Sequence, residues 1–265
     1  MTAKIGFIGT GVMGGALARA VRKSEKSVML SNVPESVARD LAAEIDCTVA
    51  TNLQVAKECE YIVLSVKPQI IREVLSEISP VLKSRTDKFT IITIAAGISV
   101  AAIREETGIN CPVIRLMPNT PVLVGKGVIL CVFDGVSDKA EQEFYNMFKA
   151  AGFCDRINES DIDAAGALTG CGPAFAYMAM NSLANGAIAC GIEPEKAKKY
   201  AELTVLGAAQ LAYSSGEDLE KLKEAVCSPK GTTIEGVGVL EERNIRSAFA
   251  DAVKASYKRS LELGK

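Results

Sequence analysis

Histidine is absent from this 265-residue chain, and its absence removes a class of chemistry. Alcohol oxidation through an imidazole base, the device of many hydroxyacid dehydrogenases, has no residue to carry it. Proton transfer must fall to Lys, Tyr, Thr, a carboxylate or water. The eight cysteines contain no C-x-x-C pair, and without histidine beside them no metal site is expected. They read as reduced, small core residues. Net charge is also scarce: 30 Lys and Arg against 32 Asp and Glu leave -2. That gives no electrostatic reason to expect nucleic acid or an anionic membrane surface. No apolar run reaches about 18 residues, and the first residues lack the basic stretch, apolar segment and cleavage site of a secretory leader. A soluble, cytoplasmic protein is expected, of one or two domains with ample material for a core.

What the chain does have begins at Lys4. Ile5, Phe7 and Ile8 make a short apolar run suited to a buried parallel strand, followed by Gly9-Thr10-Gly11-Val12-Met13-Gly14. This is G-x-G-x-x-G, and beyond it Leu17, Ala18, Ala20 and Val21 recur at helical spacing, so the glycines sit between strand and helix. In that context Gly9 permits the tight turn, Gly11 lets a pyrophosphate approach the backbone, and Gly14 lets helix and strand pack closely. The N–H groups of the helix start then face the phosphates. The alternative is a glycine-rich turn with no ligand.

Val28 to Leu30 reads as a second strand ending at Asn32, where NAD-specific sites usually carry Asp or Glu for the ribose 2′-hydroxyl. An uncharged tip does not repel a 2′-phosphate, so NADP(H) is preferred, with NAD(H) possible. Pro34 to Glu44 reads as a helix and Thr48 to Ala50 as a strand leading to Asn52. Tyr61 to Val66 is the continuous apolar run of a strand covered on both faces, and it ends at Lys67-Pro68. Carboxyl ends of parallel strands line the ligand crevice, which makes Lys67 a candidate contact for a phosphate or carboxylate, or else a solvated strand-end lysine. Phe89 to Ile94 reads as a strand running into Ala95-Ala96-Gly97, small enough for a flat ring to approach, with Ser99 as a helix cap. Val113 to Met117 leads to Pro118-Asn119-Thr120-Pro121, whose prolines should stop any regular element. Val128 to Phe133 and Gly152 to Asn158 read as strands flanking a helix over Ser137 to Ala150. Alternation of this kind predicts a parallel, doubly wound α/β sheet over residues 1–160.

From Ser160 the pattern is helical throughout, in Ile162 to Ile192, Pro194 to Tyr213 and Ile245 to Leu263. The first segment, rich in Ala and Gly, should be buried nearly all round. Burying it calls for a second subunit, so residues 161–265 are expected to form the interface of at least a homodimer. Two turns carry candidate chemistry. Gly170-Cys171-Gly172-Pro173 permits close backbone approach or makes a simple tight turn; Cys171 has no base beside it and is not expected to be a nucleophile. Cys227-Ser228-Pro229-Lys230-Gly231-Thr232-Thr233 precedes an apolar helix. Successive N–H groups from Gly231, Thr232 and Thr233 there suit a carboxylate; the alternative is that Ser228 or Thr232 caps the helix.

Taken in order, GFIGTGVMG (Gly6 to Gly14), SVKP (Ser65 to Pro68), IAAG (Ile94 to Gly97), MPNTP (Met117 to Pro121), GCGPAF (Gly170 to Phe175) and SPKGTT (Ser228 to Thr233) resemble pyrroline-5-carboxylate reductase over essentially the whole chain. The resemblance implies a Rossmann-type domain followed by an all-α dimerisation domain, and dimers assembled into a ring such as a decamer. It implies NAD(P)H-dependent reduction of 1-pyrroline-5-carboxylate to L-proline, the last step of proline biosynthesis. Carried over, Ile8, Gly9, Thr10, Gly11, Val12, Met13, Asn32, Asn52, Ser65, Val66, Lys67, Pro68, Ala95 and Ala96 would contact the cofactor. Gly231, Thr232 and Thr233 would bind the substrate, with the Thr233 hydroxyl on the ring nitrogen as the catalytic group. Lys230 stands where the family usually has glycine, Cys171 where it has serine, and Val33 where an arginine is common. A cyclic imine, once protonated, accepts hydride without a histidine. The β-hydroxyacid dehydrogenases share the N-terminal motif but need a lysine and an asparagine one helical turn apart, and no lysine after Gly166 is so followed. A nucleotide sensor without turnover would need no SPKGTT turn.

Overall fold

The structure, a computed structural model, describes residues 3–263. In chain order its elements are β1 (Ile5–Ile8), α1 (Val12–Arg22), β2 (Val28–Ser31), α2 (Glu35–Ile45), β3 (Thr48–Val49), α3 (Asn52–Glu58), β4 (Tyr61–Leu64), α4 (Ile71–Ser84), β5 (Thr90–Thr93) and α5 (Val100–Thr107). They continue as β6 (Val113–Pro118), β7 (Gly127–Asp134), α6 (Asp138–Phe148), β8 (Gly152–Arg156) and α7 (Ile162–Thr169). After these come only helices: α8 (Gly172–Ala189), α9 (Pro194–Ser215), α10 (Leu219–Ala225), α11 (Thr232–Glu242) and α12 (Ile245–Leu263).

The strands form one 8-stranded sheet in the order β3-β2-β1-β4-β5-β6-β7-β8. Side chains alternate across it, which is why each buried strand is apolar on both faces. Tyr61 and Val63 join a cluster with Leu17, Phe144 and Phe148 under α1, α2 and α6. Ile62 and Leu64 join another with Val55, Leu75 and Ile103 under α3, α4 and α5. The sheet is therefore doubly wound, as expected, but not wholly parallel: β6 and β7 pair antiparallel, Val113 opposite Asp134 and Pro118 opposite Ile129. The connection explains the departure. Only residues 119–126 join the two strands, too few for a parallel crossover of a dozen or more. Nor do the prolines of that connection abolish regular structure. Pro118 ends β6 and Pro121 sits in the first turn of a 3₁₀ helix, Thr120–Val124, where a missing N–H costs nothing.

The chain divides into two compact units. One holds the sheet and its helices as far as Cys171 and takes in the end of α12 from Ser256; there the Ser260 hydroxyl donates to Asp163 Oδ1 at 2.8 Å. The other spans Gly172–Ala255, where α8 and α9 pack through Ala184, Ala197 and Ala201. The segment expected as one buried helix from Ile162 to Ile192 is two, parted at Gly170-Cys171. In the single chain α8 is mostly exposed, with Ala184 alone buried, because small, uncharged residues cannot cover themselves. The cysteines are free but do not all lie in the core: Cys59, Cys111 and Cys131 are buried, whereas Cys190 is exposed. Among the described residues no helix is long and apolar enough to cross a membrane.

Candidate active site

The sheet order reverses direction between β1 and β4, and this is the switch point at which doubly wound sheets bind ligands beyond their carboxyl ends. Ile8 lies opposite both Ser31 and Leu64, and Leu64 opposite Thr93. The loops after β1, β2, β4 and β5 therefore leave the same edge side by side. Ile8 to Met13, Asn32, Ser65 to Pro68 and Ala95-Ala96 lie in or at the ends of those four loops.

The glycine loop has the geometry its motif requires. Gly9 has φ +97°, and a side chain there would run into the backbone of Ser65. A Cβ on Gly14 would strike the Gly9 carbonyl, whereas one on Gly11 would meet nothing within 4 Å. The first and third glycines are thus fixed by packing and the second by the approach it leaves open. Gly11 is the N-cap of α1, with no side-chain cap and no acid in the first turn, so the helix presents N–H groups and a positive dipole end. The Thr10 hydroxyl is buried without a hydrogen-bond partner. These residues fit the pyrophosphate of a dinucleotide.

Neighbouring loops hold this one in place. The Ser65 hydroxyl donates to the Gly9 carbonyl at 2.5 Å, and the Ser65 N–H donates to Ile8 O at 2.9 Å. The Thr10 N–H donates to Asn32 Oδ1 at 2.9 Å, tying the loop to the tip of β2, while Asn32 Nδ2 donates to Pro34 O at 3.0 Å and fixes the amide. Asn52 opens α3; its Oδ1 accepts from the Ser31 hydroxyl at 2.7 Å and its Nδ2 donates to Glu77 at 2.7 Å. The first acid past the tip, Glu35, is paired with Arg39 at 2.6 Å, a neutralisation that sequence reading missed although the i,i+4 spacing encodes it. Lys67 and Ala96 are exposed and Ala95 is buried. Asn119 also went unassigned: its Oδ1 accepts from Val128 N at 2.8 Å and its Nδ2 donates to Thr169 O at 2.9 Å. It latches the MPNTP turn to the end of α7.

The second unit carries the other candidate. The Gly231 N–H donates to Ser228 O at 2.9 Å, closing a turn with Pro229 second and Lys230 third at φ +60°. Gly231, where a Cβ would crowd the Ser228 hydroxyl and carbonyl, is the N-cap of α11 and brings no side-chain cap. Neither Ser228 nor Thr232 caps the helix. The N–H groups of Thr232 and Thr233 open its first turn, and both residues are exposed. An anion such as a carboxylate or a phosphate suits such an end.

Volume alone would mislead. A cavity of about 530 Å³ lined by Lys88, Phe89, Cys111, Pro112 and Lys139 opens at the amino edge of β5 and β6 and includes no residue of the glycine loop, its neighbouring loops or the SPKGTT turn.

Comparison with known proteins agrees with the geometry. Residues 159–263 match the family described as pyrroline-5-carboxylate reductase dimerisation, and residues 4–97 the family described as NADP oxidoreductase, coenzyme F420-dependent. The chain is 36% identical over 267 residues to a pyrroline-5-carboxylate reductase of Corynebacterium melassecola, covering 98% of each chain. It is 35% identical to that of Methanosarcina acetivorans, covering 99% of this chain and 98% of the relative. The reductase structure from Coxiella burnetii superposes with TM-score 0.91 at 28% identity over all of both chains. The one from Plasmodium falciparum, solved with NADP bound, gives 0.86 at 28% identity over 99% of this chain and 98% of that one. With full-length relatives at this identity and both halves matched, the chain belongs to the pyrroline-5-carboxylate reductase family.

Proposed function

We propose that this protein reduces 1-pyrroline-5-carboxylate to L-proline, the last step of proline biosynthesis, with NADPH preferred and NADH accepted. The observation that carries the reading is the uncapped start of α11 on the SPKGTT turn, in a family member with an intact glycine loop and no histidine. Ile8 to Met13, Asn32, Asn52, Ser65 to Pro68, Ala95 and Ala96 hold the dinucleotide, whose nicotinamide supplies hydride from C4. The N–H groups of Thr232 and Thr233 take the substrate carboxylate, together with Gly231. The Thr233 hydroxyl hydrogen-bonds the ring nitrogen and orients the imine carbon. A protonated imine is already electrophilic, so the chain needs no acid to polarise it; its task is to hold two reactants in register.

The cofactor preference rests on the tip of β2. Asn32 is uncharged, and the first acid after it in the chain, Glu35, is paired with Arg39, which weakens its repulsion of a 2′-phosphate. Residues from 161 onward serve as the dimerisation domain of a homodimer, assembled into a larger ring such as a decamer. Eight free thiols suit the reducing cytoplasm. Initial rates of nicotinamide oxidation with 1-pyrroline-5-carboxylate, compared for NADPH and NADH, test the reading. Turnover with both and faster turnover with NADPH is expected. No oxidation with either cofactor overturns the function, and a clear NADH advantage overturns the preference.

A further inference from the structure

Asn52 is held from two sides by groups that leave its amide only one way round. Its Oδ1 accepts from the Ser31 hydroxyl at 2.7 Å, and its Nδ2 donates to Glu77 Oε2, on α4, at 2.7 Å. A carboxylate only accepts, so the amide atom that faces Glu77 is the nitrogen. One of its two N–H groups is taken by Glu77, and the other has no partner among the described residues. The start of α3 is secured without this pair: the Thr51 hydroxyl accepts from the Gln54 N–H, and the Gln54 side chain accepts from the Thr51 N–H. Val55 on α3 and Leu75 and Ile78 on α4 already lie in one apolar cluster. Glu77 is exposed and enters no ion pair among the described residues. Its carboxylate is engaged by the amide alone. The relay ends at the tip of β2, since Ser31 is the last residue of that strand and its neighbour Asn32 takes the Thr10 N–H. In doubly wound folds this tip holds a ribose of the dinucleotide. The oxygens of that ribose, with or without a 2′-phosphate, accept hydrogen bonds.

We propose that Glu77 is a positioning residue for the cofactor, which fixes the Asn52 amide as a donor and keeps its second N–H for the ribose held at the tip of β2. The inference rests on the dinucleotide being bound as proposed above. Glu77 acts through Asn52 and does not itself touch the cofactor. An amide free to turn would present Oδ1 as readily as Nδ2, and half of its orientations would offer the ribose no donor.

Titration with NADPH and with NADH, followed by nicotinamide fluorescence, reads this without turnover. Glu77→Leu is expected to raise the Kd of both about fivefold, the size of one hydrogen bond, because the ribose is common to both. Steady-state kinetics show the same rise in coenzyme KM, with kcat and KM for 1-pyrroline-5-carboxylate unchanged. Glu77→Gln keeps an acceptor while removing the charge, and binds both dinucleotides nearly as the wild type does. Asn52→Ala weakens both by a similar factor, and adding Glu77→Leu to it weakens them no further. Wild-type Kd values in Glu77→Leu, with or without a lower Tm, assign Glu77 to joining α3 and α4 and overturn the proposal. Losses that add in the double variant overturn it too. Tighter binding of NADPH alone by Glu77→Gln makes Glu77 a charge that repels the 2′-phosphate, and this also overturns it. All three outcomes leave the reductase intact. A wild type that shows the expected coupling between Asn52 and Glu77 but reduces no 1-pyrroline-5-carboxylate overturns the function and upholds the role of Glu77; one that binds neither dinucleotide overturns both.

Discussion

Thr233 and Asn32 show how much of the site rests on single polar groups. Thr233 is exposed in the first turn of α11, so its hydroxyl is accessible for the bond to the ring nitrogen proposed above. Thr233→Ala is expected to lower kcat/KM about tenfold or more, the effect of one hydrogen bond to a reacting group, with NADPH affinity unchanged because every proposed cofactor contact lies in the other unit. Steady-state kinetics with coenzyme titration check this, and a normal rate removes the role of Thr233. Asn32 accepts from the Thr10 N–H, a bond that an aspartate in its place would keep; the aspartate gives up the Nδ2 donation to Pro34 O and adds a charge where a 2′-phosphate would lie. Asn32→Asp should therefore raise KM for NADPH about tenfold and leave KM for NADH nearly unchanged. Equal effects on both cofactors would mean that the substitution had only disturbed the glycine loop.

At the scale of elements, the residues just before β1 and β4 meet the middle of α6 in a charged cluster that makes stability depend on pH. Lys4 Nζ lies 2.7 Å from Glu60 and 2.6 Å from Glu143, and the buried Tyr61 hydroxyl donates to Glu143 at 2.9 Å. The hydrogen bond from Lys4, opposed by burial and helped by Tyr61, holds the Glu143 carboxyl below the usual carboxylate range. Its contribution is present above the unfolded value and is lost as pH falls through the folded one. Urea unfolding should therefore show stability falling below about pH 4.5. Lys4→Met should cost about 1 kcal/mol at neutral pH and flatten that acid slope; an unchanged slope would exclude the cluster as its source. None of this was legible in the sequence, because Lys4, Glu60 and Glu143 are far apart along the chain. Local signals fared better. Ser99 caps α5 as expected and Asn32 directly follows β2, whereas β4 stops at Leu64 rather than Val66, so Lys67 lies in the loop beyond the strand and not at its end. What failed was non-local: the antiparallel entry of β7 depends on how short its connection is, and Asn119 gains meaning only when Val128 and Thr169 are brought to it.

For the whole molecule the unbalanced part is the second unit. Its core is three alanines, while Tyr200, Leu203, Leu206, Leu211 and Tyr213 on α9 stand exposed, Leu206 at 63% and Tyr213 at 84%. Apolar side chains in that number on one helix mark a surface meant to be covered. A second copy of the chain offers the same surface, so a two-fold pairing satisfies both at once. Leu203 and Leu206 are neighbours one turn apart, and a carboxylate at position 206 would have to be buried unpaired in such an interface. Leu206→Glu should therefore dissociate the wild-type oligomer to monomers in light scattering at micromolar concentration, with a lower Tm and loss of turnover. Coenzyme binding should survive, because the glycine loop and its supports, Ser65 and Asn32, belong wholly to the first unit. A variant that keeps its oligomer and its rate would show that this face of α9 is not the interface. One that loses NADPH binding as well would show general unfolding rather than separation of subunits.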